Sequence, residues 1–313
     1  MIIPQYLQKG DTIGLVCPAG FMPLEKVQIA IDTLQRWGFT IKTGTTVGGG
    51  SKNYFSGTDE ERLNDLQQMM DNKNIKAIMC ARGGYGTGRI IDALNFKKFK
   101  KNPKWIIGFS DITVLHSHLF SNYKIASLHA PMAAAFNDDQ YKNEFVQSLY
   151  KALIGEESSY ECEAHPFNKN GKAGGRLVGG NLSLLAHLSG TSSDINTKNK
   201  ILFIEDIGEY IYNIDRMMYQ LKRSGKLEKL AGLIVGKFSD MKDTERTFGQ
   251  TAEEVIRDVV KEYDYPVCFN FPVSHEKENY ALKIGVKYEL KVDAIVSLKE
   301  LSGINYLSNE SSF

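Results

Sequence analysis

The first half of the chain alternates between short apolar runs and amphipathic stretches. Thr12–Cys17, Ile75–Ala81 and Trp105–Phe109 are five to seven residues long, largely apolar, and bounded by glycine, proline or charge. That is the pattern of strands buried on both faces. Between them the period lengthens. Residues 23–37 carry Leu24, Val27, Ala30, Ile31 and Leu34 at helical spacing, and Thr58 with Glu61 forms a capping box ahead of Leu63, Leu66 and Met70. Strands that alternate with helices pair in parallel through right-handed crossovers. The pattern therefore predicts a doubly wound, mostly parallel α/β domain over residues 1–155, its sheet covered on both faces.

Near Gly155 the pattern lapses. Residues 156–174 are polar, glycine-containing and without a clear period, and they read as a linker. From Gly175 order resumes with GRLVGGN, a helix from Asn181 and the apolar run ending at Glu205. An amphipathic helix follows, with Ile211, Ile214, Met217, Met218 and Leu221 on one face. Then come a strand at 232–235, a helix over 252–263, and apolar or alternating segments at 267–271, 280–290 and 294–298. Residues 175–313 are thus expected to form a smaller, strand-rich α/β domain.

A length of 313 residues fits two cores of ordinary size better than one. Apolar residues make up 42% and charged residues 24%, the balance of a soluble globular protein. A formal net charge of +1 gives no global field to hold a polyanion, so nucleic acid is not the expected partner. No run approaches the ~18 consecutive apolar residues of a membrane span, and the first twenty residues lack a basic start followed by an apolar core. Cys17, Cys80, Cys162 and Cys268 lie far apart, and three sit in or beside apolar runs. Reduced thiols, no membrane partner and a cytoplasmic address are the expectation.

Four segments can carry chemistry. The strand at Trp105–Phe109 runs directly into a helix starting near Asp111, which puts Ser110 at the carboxyl end of a parallel strand, where doubly wound sheets place ligands. The segment resembles a nucleophile elbow without its second glycine, but a serine before a helix is also the commonest N-cap, and the residues alone favour the cap. Glu205 and Asp206 end an apolar strand, where a carboxylate can orient an imidazole, with Glu209 and Asp215 as nearby competitors. His275 follows an apolar strand, in a polar loop where an imidazole can reach across to a nucleophile. The loop from Arg82 to Gly88 is glycine-rich and follows a strand, so its N–H groups can approach a ligand. It lacks both the acidic ribose contact of a dinucleotide loop and the Lys-Ser/Thr of a phosphate loop. His116, His118, His129, His165 and His187 share no ligand-like spacing with cysteines or acids, so no zinc site is expected.

Taken in order, VCPAG, ARGGYGTGR, IIGFSDIT, HAPM, GRLVGGNLSLL, ILFIEDIGE with YNIDRMMYQL, and FPVSHEKEN resemble the LD-carboxypeptidase family, the muramoyl-tetrapeptide carboxypeptidases with their microcin-immunity relatives. The family usually has glycine where this chain has Ser274. The resemblance implies a Ser-Glu-His triad shared between the two domains, hence an active site in the interdomain cleft. It maps the nucleophile to Ser110, the acid to Glu205 and the base to His275. It implies removal of a terminal D-alanine from a muropeptide, with no metal or organic cofactor. The oxyanion would be met by backbone N–H groups of Asp111 and of the Gly84–Tyr85 region, with Arg82 and Asn181 as substrate contacts. Members of the family are often dimers, and a homodimer is the corresponding expectation.

Overall fold

The computed structural model describes residues 1–51, 53–137 and 142–301. The first half runs β1 (Thr12–Val16), α1 (Leu24–Arg36), β2 (Thr40–Thr43), α2 (Asp59–Asp71), β3 (Ile75–Cys80), α3 (Thr87–Ile90), α4 (Lys97–Lys101), β4 (Trp105–Gly108), α5 (Thr113–His118), β5 (Ser127–His129) and α6 (Glu144–Ile154). The apolar runs form the central strands because burial on both faces suits them; Ile13, Leu15, Ile78, Trp105 and Ile107 are all inaccessible to solvent. α1 buries Val27, Ala30, Ile31 and Leu34, while Leu24, at its first residue, stays exposed. The capping box closes as expected: the Glu61 N–H donates to Thr58 Oγ1 (3.2 Å), and the Thr58 N–H donates to Glu61 Oε2 (2.7 Å). Sequence patterning misses β2, an edge strand with no buried residue and so no apolar run to read.

The second half adds β6 (Ser159–Glu163), β7 (Gly171–Asn181), α7 (Leu182–His187), β8 (Lys200–Ile207), α8 (Ile211–Arg223), β9 (Gly232–Ser239), α9 (Ala252–Val260), β10 (Val267–Cys268), β11 (Leu282–Ile284), β12 (Lys287–Val292) and β13 (Ile295–Glu300). Two sheets result. The first has strand order β11-β5-β4-β3-β1-β2 and is parallel except for the antiparallel β11–β5 pair. The second has order β10-β9-β8-β7-β12-β13-β6, parallel from β10 to β7 and antiparallel from there on.

Two features depart from the expected division. Residues 156–174 are not free chain, because they hold β6 and the opening of β7. β6 is an edge strand in which only Tyr160 is buried, so its polar composition imitates a loop. β11 comes from the second half yet pairs with β5 in the first sheet. One apolar cluster accordingly extends from Leu15, Trp105 and Leu128 to Phe203, Tyr288 and Leu298, joining the halves through a shared core. Such a core holds the facing ends of β4 and β8 in a fixed relation.

Candidate active site

β4 delivers Ser110 out of the first sheet with φ 62°, a left-handed conformation that non-glycine residues adopt at a cost of about 1–3 kcal/mol. A 3₁₀ turn over Ser110–Ile112 then leads into α5. The residue at the N-cap position of α5 is Ile112, and it makes no side-chain cap. Ser110 is therefore not the cap of that helix, and its strained turn from strand to helix has the form of a nucleophile elbow. The glycine-rich loop packs directly on it. A Cβ at Gly83 would lie 2.9 Å from Ser110 Cβ and 3.3 Å from the Asp111 nitrogen, so only glycine fits there. The Asp111 carboxylate accepts the Thr87 N–H (2.8 Å) and fixes the far end of the loop. Burial pushes its pKa up, against the opposing bonds from Thr87 and Gly86.

The loop is also held from below by Arg62. This fully buried guanidinium donates to the Gly86 carbonyl (3.1 Å), to the Pro18 carbonyl and to Asp59. The sequence pattern does not single out Arg62; the available signal is an arginine one turn before Leu66 on the buried face of α2. Of the other loop residues, Tyr85 is half exposed and faces the Phe55 ring at 6.0 Å, and Arg82 donates to the Phe21 carbonyl (2.9 Å).

Glu205 sits on β8, opposite Asn181 of β7. On the other side the β8–β9 register slips: Ile204 pairs with Val235, but Asp206 pairs with Phe238. The bulge leaves Gly236 and Lys237 opposite Glu205, and bulges of this kind re-aim side chains. Glu205 and Asp206 are both buried and serve different partners. Glu205 Oε2 lies 2.6 Å from His275 Nδ1. Asp206 accepts the Asn181 side-chain amide (2.8 Å) and the Ser183 N–H (2.9 Å). Glu209 takes no part, since it accepts from Asn213 one turn along. Asn181 is itself buried, with its side-chain carbonyl capping α7 at Leu184.

His275 is held by its own loop. Ser274, in place of the family's usual glycine, donates its hydroxyl to the Glu278 carbonyl (2.8 Å) and accepts the Glu276 N–H (2.9 Å). The imidazole meets the Phe109 ring edge-on at 4.9 Å, which brings it against the residue preceding Ser110. With Nδ1 bonded to Glu205, Nε2 is left buried and without a partner. Burial opposes charging the ring, but the Glu205 hydrogen bond and the charges of Glu205 and Asp206 outweigh it, so the pKa lies above the ordinary imidazole value. Asp206 is pushed up to about 6, by burial first and then by the neighbouring Glu205 charge.

A cavity of about 540 Å³ opens beside this arrangement, lined by Arg82, Phe109, Met132, Phe145, His275 and Asn279 among others. A larger hollow of about 930 Å³, bounded by residues such as Thr45, Asp59 and Arg89, touches none of Ser110, Glu205 and His275. Three of the other histidines are buried within the fold: His116 bonds Gly108 and Ser127, His118 bonds Ser193, and His129 bonds Asn279. Among the described residues no group of three or more His, Cys, Asp or Glu could hold a metal ion.

A strained serine at the carboxyl end of a parallel strand and a buried carboxylate–imidazole pair whose ring packs on Phe109 are the parts of a candidate hydrolase site in an α/β fold. Family models agree: the LD-carboxypeptidase N-terminal domain matches residues 13–130, and its C-terminal domain matches residues 174–290. The chain belongs to the LD-carboxypeptidase family. It is 38% identical to the probable murein peptide carboxypeptidase of Bacillus subtilis (strain 168), over 91% of this chain and 90% of that protein. It is 28% identical to the microcin C7 self-immunity protein of Escherichia coli, over 97% and 96% of the two chains. The solved muramoyltetrapeptide carboxypeptidase of Oxalobacter formigenes superposes with a TM-score of 0.83 at 29% identity, covering 93% of this chain and 99% of that one.

Proposed function

We propose that this protein is a serine carboxypeptidase that removes the terminal D-alanine from muropeptide tetrapeptides, with Ser110 as nucleophile, His275 as base and Glu205 as its orienting acid. The observation that carries the reading is the His275–Glu205 contact of 2.6 Å, which occupies Nδ1 and leaves a partnerless Nε2 beside the elbow. In the tautomer with hydrogen on Nδ1, Nε2 is the lone pair that takes the Ser110 proton. Ser110 Oγ then attacks the carbonyl of the L-configured centre of the penultimate diamino acid. The oxyanion forms where the Asp111 N–H and the loop at Gly83 meet Ser110, as the close packing of Gly83 supports. His275 returns the proton to the departing amine, and water releases the acyl group by the same route in reverse.

Arg82 is the residue we assign to the substrate's terminal carboxylate, because it shares the cavity with His275 and its guanidinium is oriented by Phe21. Arg82→Gln is expected to raise KM about tenfold or more with little change in kcat, the effect of losing a charge-assisted bond made equally in ground and transition states. Steady-state kinetics on a tetrapeptide substrate checks it, and an unchanged KM would release Arg82 from the role. A cytoplasmic address and a homodimer belong to the same reading, supported by the family resemblance, and are checked by cell fractionation and light scattering.

The direct test is release of free D-alanine from a muropeptide tetrapeptide by the wild-type protein, run beside an aminoacyl sulfamoyl nucleotide. Release from the tetrapeptide is the expected result. Cleavage of the nucleotide compound alone would assign the protein to the immunity type instead.

A further inference from the structure

Asp206 has no part in the triad, yet it is buried beside Glu205 at the cost of placing two carboxylates in sequence on one strand end. Its bonds show what it holds. Oδ1 accepts the Asn181 amide (2.8 Å), the Ile207 N–H (2.9 Å) and, more weakly, the Ser183 hydroxyl (3.4 Å), while Oδ2 accepts the Ser183 N–H (2.9 Å). Asn181 continues the connection: its backbone N–H donates to Thr113 Oγ1 (3.1 Å). Thr113 is fully buried, opens α5 and stands three residues after Ser110. The contact is tight as well as polar, since a Cβ at Gly180 would fall 2.4 Å from Thr113 Oγ1. A continuous path of buried bonds therefore runs from the strand that carries Glu205 to the helix that follows Ser110.

Resting on the reading of Ser110, Glu205 and His275 as the triad, we propose that Asp206 is a positioning residue that, through Asn181 and Thr113, ties the acid-bearing strand of the second half to the nucleophile's helix in the first. This gives Asn181 a role different from direct substrate contact. Its amide and carbonyl are engaged by Asp206, Ser183 and Leu184, so it passes alignment from β8 to α5. Asp206 suits the task because both its oxygens accept. Asparagine at that position would set an N–H₂ either against the Asn181 amide, which opens the tie, or against the Ser183 N–H, which loosens the side chain that makes it, so the tie is weakened in both orientations.

The test is kinetic. Asp206→Asn and Thr113→Val are each expected to lower kcat on the tetrapeptide by about ten- to a hundredfold with KM within about threefold of wild type, as a misplacement of the order of 1 Å would. Thr113→Ser, which keeps the hydroxyl, is expected to restore most of the rate. The double variant Asp206→Asn/Thr113→Val should be little worse than either single one, because both cut the same path. A raised KM with kcat kept would make these residues substrate contacts and overturn the tie. So would losses that multiply, or a fall in melting temperature with full kcat in the folded protein. The rate at which a fluorophosphonate labels Ser110 keeps the tie separable from the substrate assignment, because labelling needs the triad but no muropeptide. Slowed labelling in Asp206→Asn supports the tie even if wild type cleaves no tetrapeptide. Equal labelling of wild type and variant removes it, and absent labelling of wild type removes the triad on which it rests.

Discussion

Ser110→Ala is expected to abolish D-alanine release, lowering kcat by roughly 10⁴-fold or more while the protein stays folded. The size follows from the proposed role of the hydroxyl: without a nucleophile no acyl-enzyme forms, and what would remain is binding and oxyanion stabilisation by the elbow and the glycine-rich loop. Stability should hardly move, because alanine and serine suffer the same strain at φ 62° and Ser110 caps no helix. Ser110→Gly sharpens the prediction. It removes the same hydroxyl but relaxes the left-handed backbone, so it should be as inactive as Ser110→Ala and more stable by about 1 kcal/mol. Denaturant titration beside the D-alanine assay checks both variants. A Ser110→Gly protein less stable than wild type would mean that the turn is not strained, and appreciable turnover by either variant would exclude Ser110 as nucleophile.

Much of this arrangement is legible in the order of the residues, and the boundary of what is legible has physical causes. The central strands announce themselves because parallel strands are buried on both faces, and the cap of α2 because capping is local chemistry. The contact between His275 and Glu205 joins positions 70 apart and depends on a bulge that no residue type signals. Only the resemblance to a family reaches it, and the residues alone leave Glu209 and Asp215 open. Ser110 shows the same limit: the motif cannot distinguish a capping serine from one held at positive φ, whereas the backbone angle can. The glycine-rich loop reads as a cradle at Gly84, but the glycine that touches Ser110 is Gly83, a matter of packing that spacing does not resolve. β2, β6 and the transfer of β11 to the first sheet escape the pattern because edge strands carry few buried residues and pairing partners are set by tertiary contacts.

Glu205→Gln should cost nearly as much as the loss of the nucleophile, about 10³- to 10⁴-fold in kcat, although volume is preserved. The amide removes the charge that stabilises the imidazolium. It can also turn its N–H₂ toward Nδ1, which moves the ring hydrogen to Nε2, the atom that must receive the serine proton. The pH profile distinguishes this from simple disorder. With His275 as the base, wild-type activity should require the neutral ring and be lost as pH falls through its pKa, which lies above the ordinary value of 6.5 because the Glu205 bond and the nearby negative charges overcome burial. In the variant the bond to a carboxylate and one charge disappear while burial remains, so the residual activity should persist to lower pH than in wild type. Stability provides the second readout. A histidine pKa raised on folding contributes stability that is fully present below the unfolded pKa and lost as pH rises through the folded one. The deficit of Glu205→Gln relative to wild type should therefore be larger near about pH 6, where the charged pair is formed, than near about pH 9. Asp206, pushed up to about 6 in wild type by burial and then by the Glu205 charge, titrates in the same region there and moves down when that charge is lost, so the comparison must be between whole profiles rather than against an ideal single-group curve. An unshifted acid limb in Glu205→Gln would mean that His275 is not the base whose titration controls turnover, even if the rate had fallen as expected.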